Sequence, residues 1–225
     1  FMKRTWLLPE GVPSNQGNFL SRSEYRRAKW LLKYLKRRIF MLFFVEKFGL
    51  VSELSTIDSR HKKILWINWA APSLGDSLMD LSSRVLLKGR DIILLTHPKN
   101  FELYQNDNVF SAVYSDVDEL KKSNSPESFD LVICDSFSPR VVWKKLKIAP
   151  STPFVGMYGY LNGFEVHRTY FSFARMAALL GVSLSDALSD LQIAPHVVVQ
   201  HPYLNRIDAD VCVAVGGEWP FRTYD

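Results

Sequence analysis

At 225 residues and 47% apolar content, the chain holds one generous domain, or one domain plus pieces of another, and buries a core of its own. A net charge of +5 and a pI near 9.1 fit nucleic acid, an anionic membrane surface or phosphorylated ligands, so the position of the charge matters more than its sum. No run approaches the roughly 18 to 20 apolar residues that cross a bilayer, and the longest early run, residues 39–45, lacks a small-residue cleavage site after it, which argues against a spanning or secreted chain.

Residues 1–21 carry prolines, glycines and scattered polar residues without periodicity, and read as an irregular lead-in. From Glu24 onward Trp30, Leu31, Tyr34, Leu35, Leu42 and Val45 recur at helical spacing. Between Arg22 and Lys47 stand nine Lys or Arg against two acids, a surplus larger than that of the whole chain, so the remainder is close to neutral. This is a basic amphipathic helix, and two readings fit it. It lies on an anionic leaflet, with Arg26, Lys29, Trp30, Lys33 and Arg37 as contacts, or it packs on its own domain with the basic face in water. The two can both hold.

Beyond residue 61 strands and helices alternate. Expected strands are 64–70, 91–96, 109–114, 130–135 and the weaker 153–157; expected helices are 77–88, 98–106, 138–147 and 169–180, the last stopped by Gly181. Strand, helix, strand within thirty-odd residues predicts parallel crossovers, hence an α/β, Rossmann-like, mostly parallel sheet with helices on both faces. Such sheets bind ligands beyond the carboxyl ends of their strands, which is where the turn Leu74-Gly75-Asp76 falls. Cys134 and Cys212 each sit in an apolar run and there is no Asn-x-Ser/Thr sequon, which suits packing thiols in a reducing cytosol. The domains expected are 1–60, lead-in and basic helix; 61–181, the sheet; 182–210, a linker; and 211–225, the start of a second domain that the chain does not finish. With Phe1 first and Asp225 directly after a strand-like run, both ends look cut.

Ser73-Leu74-Gly75-Asp76 within 64–81, Ile92-Ile-Leu-Leu-Thr-His-Pro-Lys-Asn100, Phe129-Asp-Leu-Val-Ile-Cys-Asp135 and Gly216-Gly217-Glu218-Trp219-Pro220-Phe221-Arg222 come in one order and spacing. In these the chain resembles the family 9 glycosyltransferases, the bacterial heptosyltransferases of the lipopolysaccharide inner core. The resemblance implies the N-terminal part of a two-domain GT-B enzyme that inverts at the sugar carbon and needs no metal or other cofactor. Its donor would be a nucleotide sugar such as ADP-heptose, and its acceptor a lipid-linked oligosaccharide. The resemblance places Asp76 as general base, with Arg222 on the donor's pyrophosphate where the family usually has lysine. Gly216 and Gly217 would bring backbone amides to the same phosphates. It also implies a cytoplasmic enzyme, peripheral on the inner face of the membrane if the basic helix docks there, with no nucleic-acid partner. The fragment alone is expected not to turn over.

Each candidate has a plainer alternative. Asp76 could simply satisfy free amides at a helix start. Ser73 and Gly75 could touch the acceptor or only form the turn, and His97 and Lys99 are acceptor contacts or ordinary loop residues. Asp135, ending a strand on the same edge, reads as a helix cap. Glu165, His167 and Arg168 have no metal-ligand spacing and read as exposed charges at a helix entrance. Asp116-Val-Asp118 and Asp208-Ala-Asp210 read as accidental Asp-x-Asp matches. A dinucleotide oxidoreductase is set aside because Ala70-Ala-Pro-Ser-Leu-Gly75 lacks the Gly-x-Gly-x-x-Gly turn. A non-catalytic membrane-surface or protein-interaction domain remains the competing function.

Overall fold

The structure, a computed structural model, describes residues 28–43, 53–70, 72–159 and 168–189. Along these run helix α1 (Ala28–Met41), β1 (Lys63–Asn68), α2 (Leu74–Asp80), a 3-10 segment (Ser82–Leu87), β2 (Asp91–Thr96), α3 (Phe101–Tyr104) and β3 (Ala112–Tyr114). There follow α4 (Val117–Ser123), β4 (Leu131–Cys134), α5 (Pro139–Ile148), β5 (Phe154–Gly156), α6 (Arg168–Leu180) and α7 (Leu184–Ser189). The five strands form one parallel sheet in the order β3-β2-β1-β4-β5.

The runs Ile64 to Asn68 and Ile92 to Thr96 are buried at every position, so neither face of these strands meets water. That is why they read as unbroken apolar stretches rather than alternating ones. One alternate set, Ile64, Trp66, Ile92, Leu94, Leu131 and Ile133, packs with Phe171, Met176 and Leu179 of α6. The other, Leu65, Ile67, Ile93, Leu95, Val132 and Cys134, packs with Val141, Val142 and Ile148 of α5, Leu120 of α4 and Met41 of α1. Each fully buried aliphatic side chain contributes about 1.5 to 3 kcal/mol, so this two-sided core is what fixes the sheet. Trp66 sits at its centre, in register with Leu94 and Ile133.

The chain steps outward from β1 to β2 and β3, then returns to place β4 on the other side of β1. The order therefore reverses between β1 and β4, and a crevice opens at their carboxyl ends.

Several boundaries differ from expectation. The helix after β1 begins at Leu74 rather than Ser77, because Ser73 is an extended N-cap whose hydroxyl accepts from the Asp76 amide at 3.4 Å. Gly75 thus lies within the first helical turn with ordinary negative φ, and no tight glycine turn is formed. The helix ends at Asp80 and the chain tightens into the 3-10 segment. Residues 117–123 form a helix that the sequence reading passed over. Asp116 caps it, its carboxylate accepting from the amides of Asp118 and Glu119 at 2.8 and 3.0 Å, so the Asp-x-Asp match there is a cap. Within the expected linker 182–210, residues 184–189 are helical.

Candidate functional site

Asp76 stands in the first turn of α2, directly beyond the central strand, and is half-buried. The floor of α2 is fixed by a buried chain of hydroxyls: Ser77 donates to Asn68 Oδ1 at 2.8 Å and lies 3.0 Å from the Tyr104 hydroxyl. This ties the helix to the end of β1 and to α3. The Asp76 carboxylate is not a cap. It lies 3.1 Å from the Arg168 guanidinium, which also grips Asp80, one helical turn on, at 2.8 and 2.5 Å. The Tyr158 hydroxyl donates to Asp80 at 2.5 Å, and Ser172 of α6 donates to the Asp80 carbonyl. Burial outweighs the Arg168 and Tyr158 contacts and leaves the Asp80 carboxyl raised from its ordinary value. Arg168 is therefore a paired residue of the site and not an exposed helix-entrance charge, a correction to the sequence reading.

Asp135 is also corrected. It caps no helix; its Oδ2 accepts from the amides of Trp69 and Ala70 at 2.9 and 2.7 Å, clamping the loop after β1 to the end of β4 across the reversal point. Complete burial pushes its carboxyl up to about 7 despite those amides.

Beside this clamp stands a basic group. His97 follows β2, caps the short 3-10 turn at Pro98–Asn100 by accepting from the Lys99 amide at 3.3 Å, and lays its ring 5.5 Å from Trp69. Lys144 of α5 places its ammonium 3.6 Å from the Trp69 ring centre. Burial, then the charges of Lys99, Lys144 and Arg140, hold His97 below its usual range. Ser73, Gly75, His97 and Lys99 thus all lie at the carboxyl edge, and a Cβ at Gly75 would meet nothing within 4 Å. Arg37 of α1 is half-buried and within electrostatic reach of Asp135. Lys29, Trp30 and Lys33 belong to α1, while Arg26, Glu165, His167, Gly216, Gly217, Arg222, Asp208, Asp210 and Cys212 lie outside the described residues. Cys134 is a buried free thiol raised by desolvation, a packing residue.

The three central strands share one feature. Each apolar run ends in a buried polar residue, Asn68, Thr96 or Asp135, and each of these keeps an atom without a hydrogen-bond partner: Nδ2, Oγ1 and Oδ1. The Ser138 hydroxyl, at the start of α5, is a fourth. Each such group costs about 1 to 3 kcal/mol, and their gathering at one edge marks a polar floor where ligand groups can bond. Sequence reasoning missed Asn68, Thr96, Asp80 and Tyr158; the signal for the first two was a polar residue closing an apolar strand. The opposite end of the sheet has an open hollow lined by His61, Lys62, Lys63, Lys88, Arg90 and Asp91. There Asp130 accepts from the amides of Lys62 and Lys63, and Arg90 donates to the carbonyls of Asp58 and His61. Among the described residues no cluster of three or more His, Cys, Asp or Glu could hold a metal.

Compared with family models, curated proteins and solved structures, the chain matches none.

Proposed function

We propose that the chain is the acceptor-binding part of an inverting glycosyltransferase of the GT-B kind, similar to the heptosyltransferases, its parallel sheet covered by helices on both faces. The observation that carries this reading is the half-buried Asp76 carboxylate, held by Arg168 at the carboxyl end of the central strand beside a basic wall and a floor of unpartnered polar atoms. Asp76 takes the proton of an acceptor hydroxyl. That oxygen bonds to the sugar's anomeric carbon from the face opposite the diphosphate, whose bond to carbon breaks as the nucleotide diphosphate leaves with the electron pair. One in-line displacement inverts the centre. Gly216, Gly217 and Arg222 would receive the charge of the leaving diphosphate, and Lys99 and His97 would border the acceptor. The donor is a nucleotide sugar, ADP-heptose on the family likeness, the acceptor is a lipid-linked oligosaccharide, and the place of work is the cytoplasm.

Asp76→Asn tests the assignment in the intact enzyme with ADP-heptose and a lipid A-core acceptor. Loss of a general base lowers the transfer rate about 10²- to 10⁴-fold, with the melting temperature little changed. An undiminished rate would remove Asp76 from the chemistry. A second reading, a membrane-surface domain without turnover, is favoured by the exposed apolar face of α1. It gains if neither donor nor acceptor binds by calorimetry.

A further inference from the structure

Helix α1 carries an apolar stripe that points away from the core. Leu32, Leu35 and Ile39, followed by Leu42 and Phe43 just past its end, recur at spacings of three and four and form one stripe. That stripe faces out: Leu32 is 66% exposed, Ile39 54% and Phe43 53%. The inward side holds Met41, buried in the core, with Phe40 packed beside it. Phe40 meets Trp143 of α5 edge-on at 6.4 Å, and Trp143, 53% exposed, extends the apolar surface onto the neighbouring helix.

The rim identifies the occupant. At 3.6 residues per turn Lys36 and Arg38 border the stripe on either side. On α5, exposed Arg140 and Lys147 share the face of Trp143 three and four residues away. Helix α1 contains five Lys or Arg and no acid. A second copy laid against this face would bring like charge to like charge, whereas an anionic lipid surface supplies apolar depth beneath the stripe and negative charge at its borders.

We propose that Leu32, Leu35, Ile39, Leu42, Phe43 and Trp143 insert into an anionic bilayer surface, with α1 lying in the headgroup plane and Lys36, Arg38, Arg140 and Lys147 on the phosphates. No helix among the described residues is long and apolar enough to cross a membrane, so the contact is interfacial. The proposal stands whether or not the protein transfers sugar, because vesicle binding and turnover are measured separately.

The test is co-sedimentation of the intact protein with vesicles of phosphatidylcholine alone and of phosphatidylcholine mixed with phosphatidylglycerol. Binding is expected to the mixed vesicles and to be far weaker to the neutral ones. Leu35→Gln/Ile39→Gln lowers the partition coefficient about thirtyfold or more. Lys36→Glu/Arg38→Glu lowers it by a similar factor at low salt, a difference that shrinks as salt is raised. Leu35→Gln/Ile39→Gln keeps the parent melting temperature, since both side chains already face water. Undiminished binding of Leu35→Gln/Ile39→Gln, or absence of binding to mixed vesicles, overturns the proposal. So does a melting temperature lowered by several degrees, which would mean that the stripe packs inside the fold. A wild-type dimer by light scattering that becomes a monomer in Leu35→Gln/Ile39→Gln would give the face to a second copy instead.

Discussion

Asp135 shows how one residue can hold a site together and weaken the fold in the same act. Its carboxylate clamps two amides of the loop after β1, yet water cannot reach it and its carboxyl stands near 7 against an ordinary 3.8. The native state therefore keeps a proton that the unfolded chain has already released, so stability falls as pH rises between those values and levels off above the higher one. A gap of about three pKa units amounts to roughly 4 kcal/mol. In Asp135→Asn the amide oxygen still accepts from Trp69 and Ala70 but nothing titrates. Its stability relative to wild type should thus rise by up to about 4 kcal/mol from pH 4 to pH 7 and stay constant beyond, read from denaturant midpoints across that range. Parallel curves would show that the group stays ionised. At this scale the sequence was half legible. Asp76 could be placed because it follows an apolar run, but its partner Arg168 comes from α6, and nothing in local spacing announces that Arg168 also spans 88 positions to grip Asp80. Asp135 was recognised as a strand-ending acid and given the wrong bond, since only the strand order puts the loop after β1 beside it.

Elements were more legible than contacts. The strand at Asp91 to Thr96 is where its unbroken apolar run put it, and α6 was expected one residue short of its start. Helix starts were harder, because Ser73 and Asp116 act through side-chain bonds to amides that a periodicity argument does not count. The direction in which the apolar residues of α1 face depends on the core they meet: Met41 is buried and Ile39 is not. The end of α6 rests on a glycine for a local reason. Gly181 has φ of +67°, and the amides of Gly181 and Val182 return to the carbonyls of Ala178 and Ala177 at 3.3 and 3.0 Å, a Schellman closure. A side chain in that left-handed conformation costs about 1 to 2 kcal/mol. Gly181→Ala should lose that amount in denaturant unfolding with an unchanged m-value. No loss would mean that the backbone relaxes out of the left-handed region.

Over the whole molecule, the two edges of the sheet are treated differently. At the amino edge Asp130 and Arg90 satisfy the backbone around them; at the carboxyl edge Asn68, Thr96, Asp135 and Ser138 each keep an atom unused. Each such group costs stability, so four of them at one end make the carboxyl edge the place where added hydrogen-bonding groups would be accommodated. Thr96 gives the sharpest test, since valine has nearly its shape. It is fully buried at the end of β2, and its hydroxyl has no partner. Removing an unpartnered hydroxyl while keeping the packing should stabilise the protein by about 1 kcal/mol, or a rise in melting temperature of about 2 to 4 °C for a domain of this size. If the hydroxyl serves a ligand at the crevice, the same Thr96→Val protein binds donor or acceptor more weakly while melting higher, a pair of opposite shifts that a purely structural threonine cannot give. Thermal unfolding and calorimetric titration on one preparation measure both. A lower melting temperature would show that the hydroxyl is bonded in the native protein and is not left open to a ligand.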